Sequence, residues 1–256
     1  MIKCPSFITE FATTGWRPLK VIVVGAGGTG SALLNKLFQM QTTLLNLGVK
    51  GFDVTVYDDD VVTPSNVGRQ SFWGFDIGKR KAEVLVSRYK QFGSVNWKAV
   101  PSKFTADDVD SNCVIFGCVD NAAGRKEIHK GMTGHQNIIW IDAGNDHKSA
   151  NVILGMKANL SANESVYLPT VYDLFKSQLD APVEDALPSC STAESIARQD
   201  WGVNDFAAAH AAQLLWQLIR HGEVAYQGCT VDLRTGIASP LPADPEVWAM
   251  FGYQAA

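Results

Sequence analysis

The run VIVVGAGGTGS, residues 21–31, constrains this chain more than any other feature. A Val/Ile stretch runs straight into Gly25, Gly27, Gly28 and Gly30, and a helical pattern follows. Glycine lets the backbone turn tightly and approach a ligand closely. The helix N-terminus behind it offers unpaired N–H groups and the positive end of a dipole. The strand–turn–helix context that such a loop needs is present. The run therefore reads as a phosphate loop at the first turn of an α/β sheet. A dinucleotide such as NAD is the first nucleotide it suggests, and a purely structural tight turn is the competing reading.

The periodicity around the loop agrees. Short apolar runs at Leu19–Val24, Val54–Tyr57, Val95–Val100, Val114–Cys118 and Ile138–Ile141 lack clean alternation, as parallel strands covered on both faces do. Between them lie a helix from about Gly30 to Met40 and another from about Gly78 to Phe92. In the second, Ala82, Leu85, Val86 and Tyr89 share one face. The expected architecture is α/β, a Rossmann-like doubly wound, mostly parallel sheet. Beyond Gly155 the periods loosen, and Pro169, Pro182 and Pro188 interrupt them. Residues 155–200 read as a mobile crossover segment with one short helix. Asn204 or Asp205 is the expected cap of an Ala-rich helix reaching about Arg220. The Pro-rich tail after Gly236 is expected to wrap the surface as a C-terminal extension. Residues 1–256 are read as one domain.

Composition excludes several classes. With 46% hydrophobic and 19% charged residues, the body is neither disordered nor a coiled coil. A net charge of −4 gives no global field for nucleic acid or an anionic membrane. The longest apolar stretch, Phe206 to Ile219, is broken by His210, Gln213 and Gln217, and falls short of the ~18 residues a bilayer span needs. The start, MIKCPSFITEF, has no signal-peptide pattern. The five cysteines, Cys4, Cys113, Cys118, Cys190 and Cys229, form no C-x-x-C pair. A cytoplasmic protein with reduced thiols and no four-cysteine zinc site is expected.

Carboxylates and donors cluster at the strand ends. Asp58, Asp59 and Asp60 close the second strand, where an acidic residue commonly bonds a ribose; a solvated turn is the plainer reading for at least one of them. Asn66, Arg69, Gln70 and Lys81 follow, a set for which a dehydrogenase has no use. Arg69 and Lys81 suit triphosphate oxygens and a departing pyrophosphate. Asp120 and Asn121 end the fourth strand, and a lone carboxylate there suits Mg²⁺, which binds through few carboxylates plus phosphates. Asp142, Asp146 and His147 lack metal-ligand spacing and read as a turn. His210, Trp216 and Trp248 read as packing residues.

Taken in order, these pieces resemble a known family. G-x-G-G-x-G (Gly25 to Gly30), D-x-D (Asp58, Asp60), S-N-x-x-R-Q (Ser65 to Gln70), G-K-x-K-A (Gly78 to Ala82) and D-N-x-x-x-R (Asp120 to Arg125) are similar to the ThiF/MoeB and ubiquitin-activating-enzyme superfamily of ATP-dependent adenylyltransferases. Within it, the chain most resembles the ThiF-family proteins of PRTRC systems. The resemblance implies that Asp60 contacts the ATP ribose with Asp58 beside it. It implies that Asn66, Arg69 and Lys81 hold the phosphates, with Gln70 supporting Arg69, and that Asp120 ligates Mg²⁺. The implied reaction makes an acyl adenylate on the C-terminal glycine of a small ubiquitin-like or sulfur-carrier protein, and the implied state is a homodimer. Two features depart from the pattern: the zinc-binding C-x-x-C pairs and the N-terminal R-Y-x-R-Q stretch are both missing. No structural zinc is therefore expected.

Cys190, in ALPSCSTAES, matches the family's P-x-C-T thioester pattern with Ser191 in place of threonine. The resemblance makes it a nucleophile; the alternative is an incidental loop cysteine. Competing functions are adenylation of a tRNA or peptide carboxylate, an NAD-dependent oxidoreductase, and a nucleotide-binding scaffold without catalysis.

Overall fold

Strands that are apolar on both faces need cover on both faces, and the chain supplies it with helices. The computed structural model describes residues 1–145, 148–181 and 201–254. In chain order its strands are β1 (Ile2–Lys3), β2 (Leu19–Val24), β3 (Phe52–Tyr57), β4 (Lys98–Val100), β5 (Cys113–Gly117) and β6 (Ile138–Asn145). They continue with β7 (Ser149–Ser161), β8 (Glu164–Leu168), β9 (Glu223–Val224), β10 (Gly228–Asp232) and β11 (Ile237–Leu241). The helices are α1 (Ser6–Thr14), α2 (Gly28–Asn46), α3 (Lys81–Gly93), α4 (Ala122–Thr133), α5 (Val171–Leu174), α6 (Lys176–Leu179), α7 (Val203–His221) and α8 (Pro245–Met250).

Strands β4, β3, β2, β5 and β6 lie side by side and are all parallel. The strand order reverses between β2 and β5, which is the doubly wound pattern expected from the sequence. Val21, Val23, Val54, Val56, Val114 and Ile115 are buried in this layer. Helix α2 crosses it with Leu33, Leu34 and Leu37 fully buried, and packs beside α7. The small residues Ala207, Ala208 and Ala211 on the buried side of α7 allow that close approach. No helix among the described residues is long and apolar enough to cross a membrane.

The second half of the sheet corrects the sequence reading. From β6 the ladder turns antiparallel through β7, β10 and β11, and β8 also pairs with β7. The irregular excursion expected from residue 155 is thus ordered strand up to Leu168. Ala150, Val152, Leu154, Met156 and Ala158 are buried at a period of two, but Ile153 and Gly155 between them are buried as well and hide the alternation. Gly155 is mid-strand rather than a terminator, because Thr170 packs onto it; a Cβ there would lie 2.6 Å from the Thr170 Cα. Among the described residues of this segment, two short helices, α5 and α6, follow. The tail is likewise ordered. Strand β11 extends the sheet, and Asp244 caps α8 by accepting the Glu246 N–H at 2.9 Å. Trp248 donates its indole N–H to the buried Gln227 at 2.6 Å, and Gln227 donates to the Pro169 carbonyl at 2.7 Å. Helix α7 begins at Val203 behind Gly202, so neither Asn204 nor Asp205 is its cap.

Candidate active site

The switch point opens a cleft of about 650 Å³ between the carboxyl ends of β2, β3 and β5. That is the position at which doubly wound sheets take their ligands. The glycine turn forms its floor. Gly25 has φ +96°, a backbone that L side chains rarely adopt, and a Cβ on it would meet the Cys118 carbonyl oxygen at 2.6 Å. The turn can therefore lie against the end of β5 only with glycine at this position. Gly27 and Gly28 face the cleft at the start of the long helix α2, whose first-turn N–H groups are the natural anion donors.

Asp58 fixes this turn. Its carboxylate accepts the Ala26 N–H at 2.6 Å and the Asp60 N–H at 2.9 Å. Burial raises its pKa above the usual carboxylate value, against the opposing pull of the Ala26 N–H and of Lys81. Asp60 is different: it is exposed on the cleft rim and pairs with the Lys81 ammonium at 2.7 Å. The Lys81 side chain is only 8% exposed, so the α3 start delivers a largely desolvated cation to the cleft. Arg69 and Gln70 enter from the connection between β3 and α3. Burial lowers the pKa of the Arg69 guanidinium, and guanidinium stays charged regardless. Gln70 lies beside Gly27, and its buried Oε1 has no hydrogen-bond partner among the described residues. Asp120 and Asn121 close the opposite wall; Asn121 caps α4 by accepting the Gly124 N–H at 2.8 Å and donates to Asp120 at 3.2 Å.

Ten of the expected residues thus line one cleft: Gly25, Gly27, Gly28, Asp58, Asp60, Arg69, Gln70, Lys81, Asp120 and Asn121. Two expected ligand-binding residues do not line it. Gly30 packs under the turn, where a Cβ would come within 2.0 Å of the Gly25 carbonyl oxygen. Asn66 is buried, and its side-chain oxygen accepts the Thr63 N–H at 2.9 Å; its carbonyl accepts the Gln70 N–H at 2.9 Å. It shapes the turn that presents Arg69 and Gln70. Cys190 lies outside the described residues, as do Asp146 and His147. Asp142 is not in a turn: it sits in β6, 3% exposed, and accepts both of its oxygens' bonds from the Arg125 Nε at 3.0 and 3.1 Å. Burial raises its carboxyl pKa and Arg125 opposes the rise. His210 is hydrogen-bonded to the Phe206 carbonyl at 3.0 Å, and Trp216 packs on the core.

Other lining residues gave no sequence signal for a site. Thr29, Asn145 and Asn204 meet at the cleft floor from α2, β6 and α7. Cys118 sits in the wall, where burial pushes its thiol pKa far up and leaves it a poor nucleophile. Among the described residues no group of three His, Cys, Asp or Glu could hold a metal on its own. A Mg²⁺ that completes its shell with phosphate and water needs no such group, and the exposed Asp120 carboxylate fits that demand.

The chain spans 39% of the length of a NEDD8-activating enzyme E1 catalytic subunit of Dictyostelium discoideum, with 26% identity over 187 residues. It is 39% identical over 74 residues to the corresponding subunit of Caenorhabditis elegans, covering 15% of that protein. Among solved structures, E. coli MccB with ATP superposes with a TM-score of 0.60 at 16% identity, over 91% of this chain and 66% of MccB. PaaA superposes with a TM-score of 0.58 at 14% identity, over 93% of this chain and 66% of PaaA. At these identities the structures establish the shared fold. The ThiF family model matches residues 4–237, and the chain belongs to the ThiF family.

Proposed function

We propose that this protein is an ATP-dependent adenylyltransferase that activates the C-terminal carboxylate of a small ubiquitin-like or sulfur-carrier protein. The observation that carries the reading is the convergence of the Gly27–Gly28 turn, Arg69, Lys81 and Asp120 on one cleft. A dinucleotide oxidoreductase needs the turn and one acidic residue; it leaves the two cations and Asp120 without work. The similarity to E1 catalytic subunits of a NEDD8-activating enzyme supports activation chemistry, and a structure that shares the fold, MccB, was solved with ATP.

In this reading the ribose lies at Asp60, whose second role is to hold Lys81 in place. The first-turn N–H groups of α2 receive the phosphates. Lys81 and Arg69 offset the charge that grows as the reaction proceeds. An incoming carboxylate oxygen bonds to the α-phosphorus. The bond from that phosphorus to the oxygen bridging to the β-phosphate breaks, and pyrophosphate departs with the electron pair. The carboxylate is already ionised at neutral pH, so no general base is required. Mg²⁺, held by Asp120, would neutralise phosphate charge when bound. Most of the rate gain then comes from positioning and fixed charge.

The finer parts of the proposal are a PRTRC-type carrier protein as substrate, passage of the activated tail to Cys190 as a thioester, and pairing of two copies in the cytoplasm. The test is pyrophosphate exchange into ATP. It should require the intact C-terminal glycine of the carrier and should collapse in Asp120→Ala. Exchange that ignores the carrier tail, or that survives this substitution, contradicts the proposal.

A further inference from the structure

We propose that Asn204 is the positioning residue of the phosphate turn, and that Gly28 is glycine to accommodate it. Its side chain reaches the cleft floor from the first turn of α7 and is 8% exposed. A Cβ built on Gly28 would lie 2.5 Å from its Nδ2, 2.6 Å from its Cγ and 2.7 Å from its Oδ1. Three nearly equal distances mean that the carboxamide turns its face to the position a Gly28 Cβ would take and leaves no room for one.

The carboxamide is also bonded sideways. Its Oδ1 accepts the Thr29 hydroxyl at 3.0 Å and the Asn145 amide at 2.6 Å, and Asn145 donates to the Thr29 oxygen at 3.0 Å. One plate of polar atoms therefore joins the turn, the end of β6 and the start of α7. Buried polar groups that satisfy one another in this way rigidify what they touch. What they touch here is the segment whose N–H groups must already point into the cleft before a phosphate arrives. Preorganised donors bind a charge without the cost of ordering first. Asn204 acts through Gly28 and Thr29, so its removal should weaken phosphate binding selectively.

This inference rests on the ATP reading of the cleft, and its test separates the two. Wild type, Asn204→Ala and Asn204→Asp are titrated with ATP and with adenosine, each read by displacement of a fluorescent ATP analogue, well below their melting temperatures. Asn204→Ala removes the plate; Asn204→Asp keeps its shape and both accepted hydrogen bonds, and places a negative charge on the turn. Both should lose at least tenfold in ATP affinity and less than twofold in adenosine affinity. A merely structural residue would lower the melting temperature while leaving the ratio of the two affinities unchanged. That outcome, in whichever variant folds, overturns the inference. Failure of the wild type to bind ATP would instead overturn the reading of the cleft.

A second arm tests the packing claim. Gly28→Ala should melt lower than wild type, and Gly28→Ala combined with Asn204→Ala should recover part of that loss, because the clashing atoms are gone. Full additivity of the two losses would show that the carboxamide does not occupy the Cβ position.

Discussion

Lys81→Met separates binding from folding at the centre of the cleft. The Lys81 stem is packed at the start of α3, and methionine preserves most of that contact. What disappears is the ammonium, 2.7 Å from Asp60. Asp60 is 65% exposed, so it returns to water when its partner leaves, and a pair of this kind is worth at most about 1 kcal/mol. The bond that Lys81 would make to a phosphate is charge-assisted and shielded, worth roughly 1.5–3 kcal/mol. At about 1.4 kcal/mol per decade, that is about a 10- to 150-fold rise in Kd for Mg-ATP. Calorimetric titration gives the Kd, and urea unfolding in parallel gives the stability. An unchanged Kd in a folded variant refutes the assignment of Lys81 to the phosphates. A loss of more than about 3 kcal/mol in stability refutes the premise that its ion pair is weak.

Gly30→Ala should cost about 1–3 kcal/mol or more in urea unfolding, because its Cβ would meet the Gly25 backbone oxygen at 2.0 Å and backbone cannot rotate away. Asp142→Ala should cost about 3–5 kcal/mol by leaving the Arg125 guanidinium buried without its carboxylate, whereas joint replacement of the pair by Met and Leu should come out near neutral; equal losses would contradict the buried-pair account. Native-state alkylation should be slow at Cys4 and Cys113, whose thiols burial pushes up to about 11 and about 12, and rapid labelling of either below pH 9 would contradict their placement. Burial holds the native Asp58 pKa above the value of 3.8 it takes when unfolded. Its contribution to stability is therefore complete below that value and is lost as pH rises through the native pKa. Relative to Asp58→Asn, wild type should lose stability on going from acid to neutral pH, and a difference that grows instead would reverse the sign of the shift.

The parallel half of this fold was legible because its strands are long in Val and Ile and its turn residues are glycines with one physical purpose. The antiparallel half was not. Strand β7 buries every second residue from Ala150 to Ala158, but Ile153 and Gly155 on its other face are buried too, so no alternation shows, and Gly155 imitates a break where Thr170 needs space. In the tail, β11 is exposed along most of its length, so no hydrophobic period marks it. The cleft residues that carry charge could be found in sequence because charge at a strand end is informative. Thr29, Asn145 and Asn204 could not, since they are 59 to 175 residues apart and meet only through the packing of α2 and α7 on the sheet. Asn204 looked like a helix cap, and the structure turns it inward instead.

The most direct test of the central claim is a calorimetric comparison of Mg-ATP with NADH on the purified protein, with Asp120→Ala alongside. Mg-ATP should bind, NADH should not, and the substitution should weaken ATP binding only when Mg²⁺ is present. Binding of NADH without binding of ATP would contradict that claim.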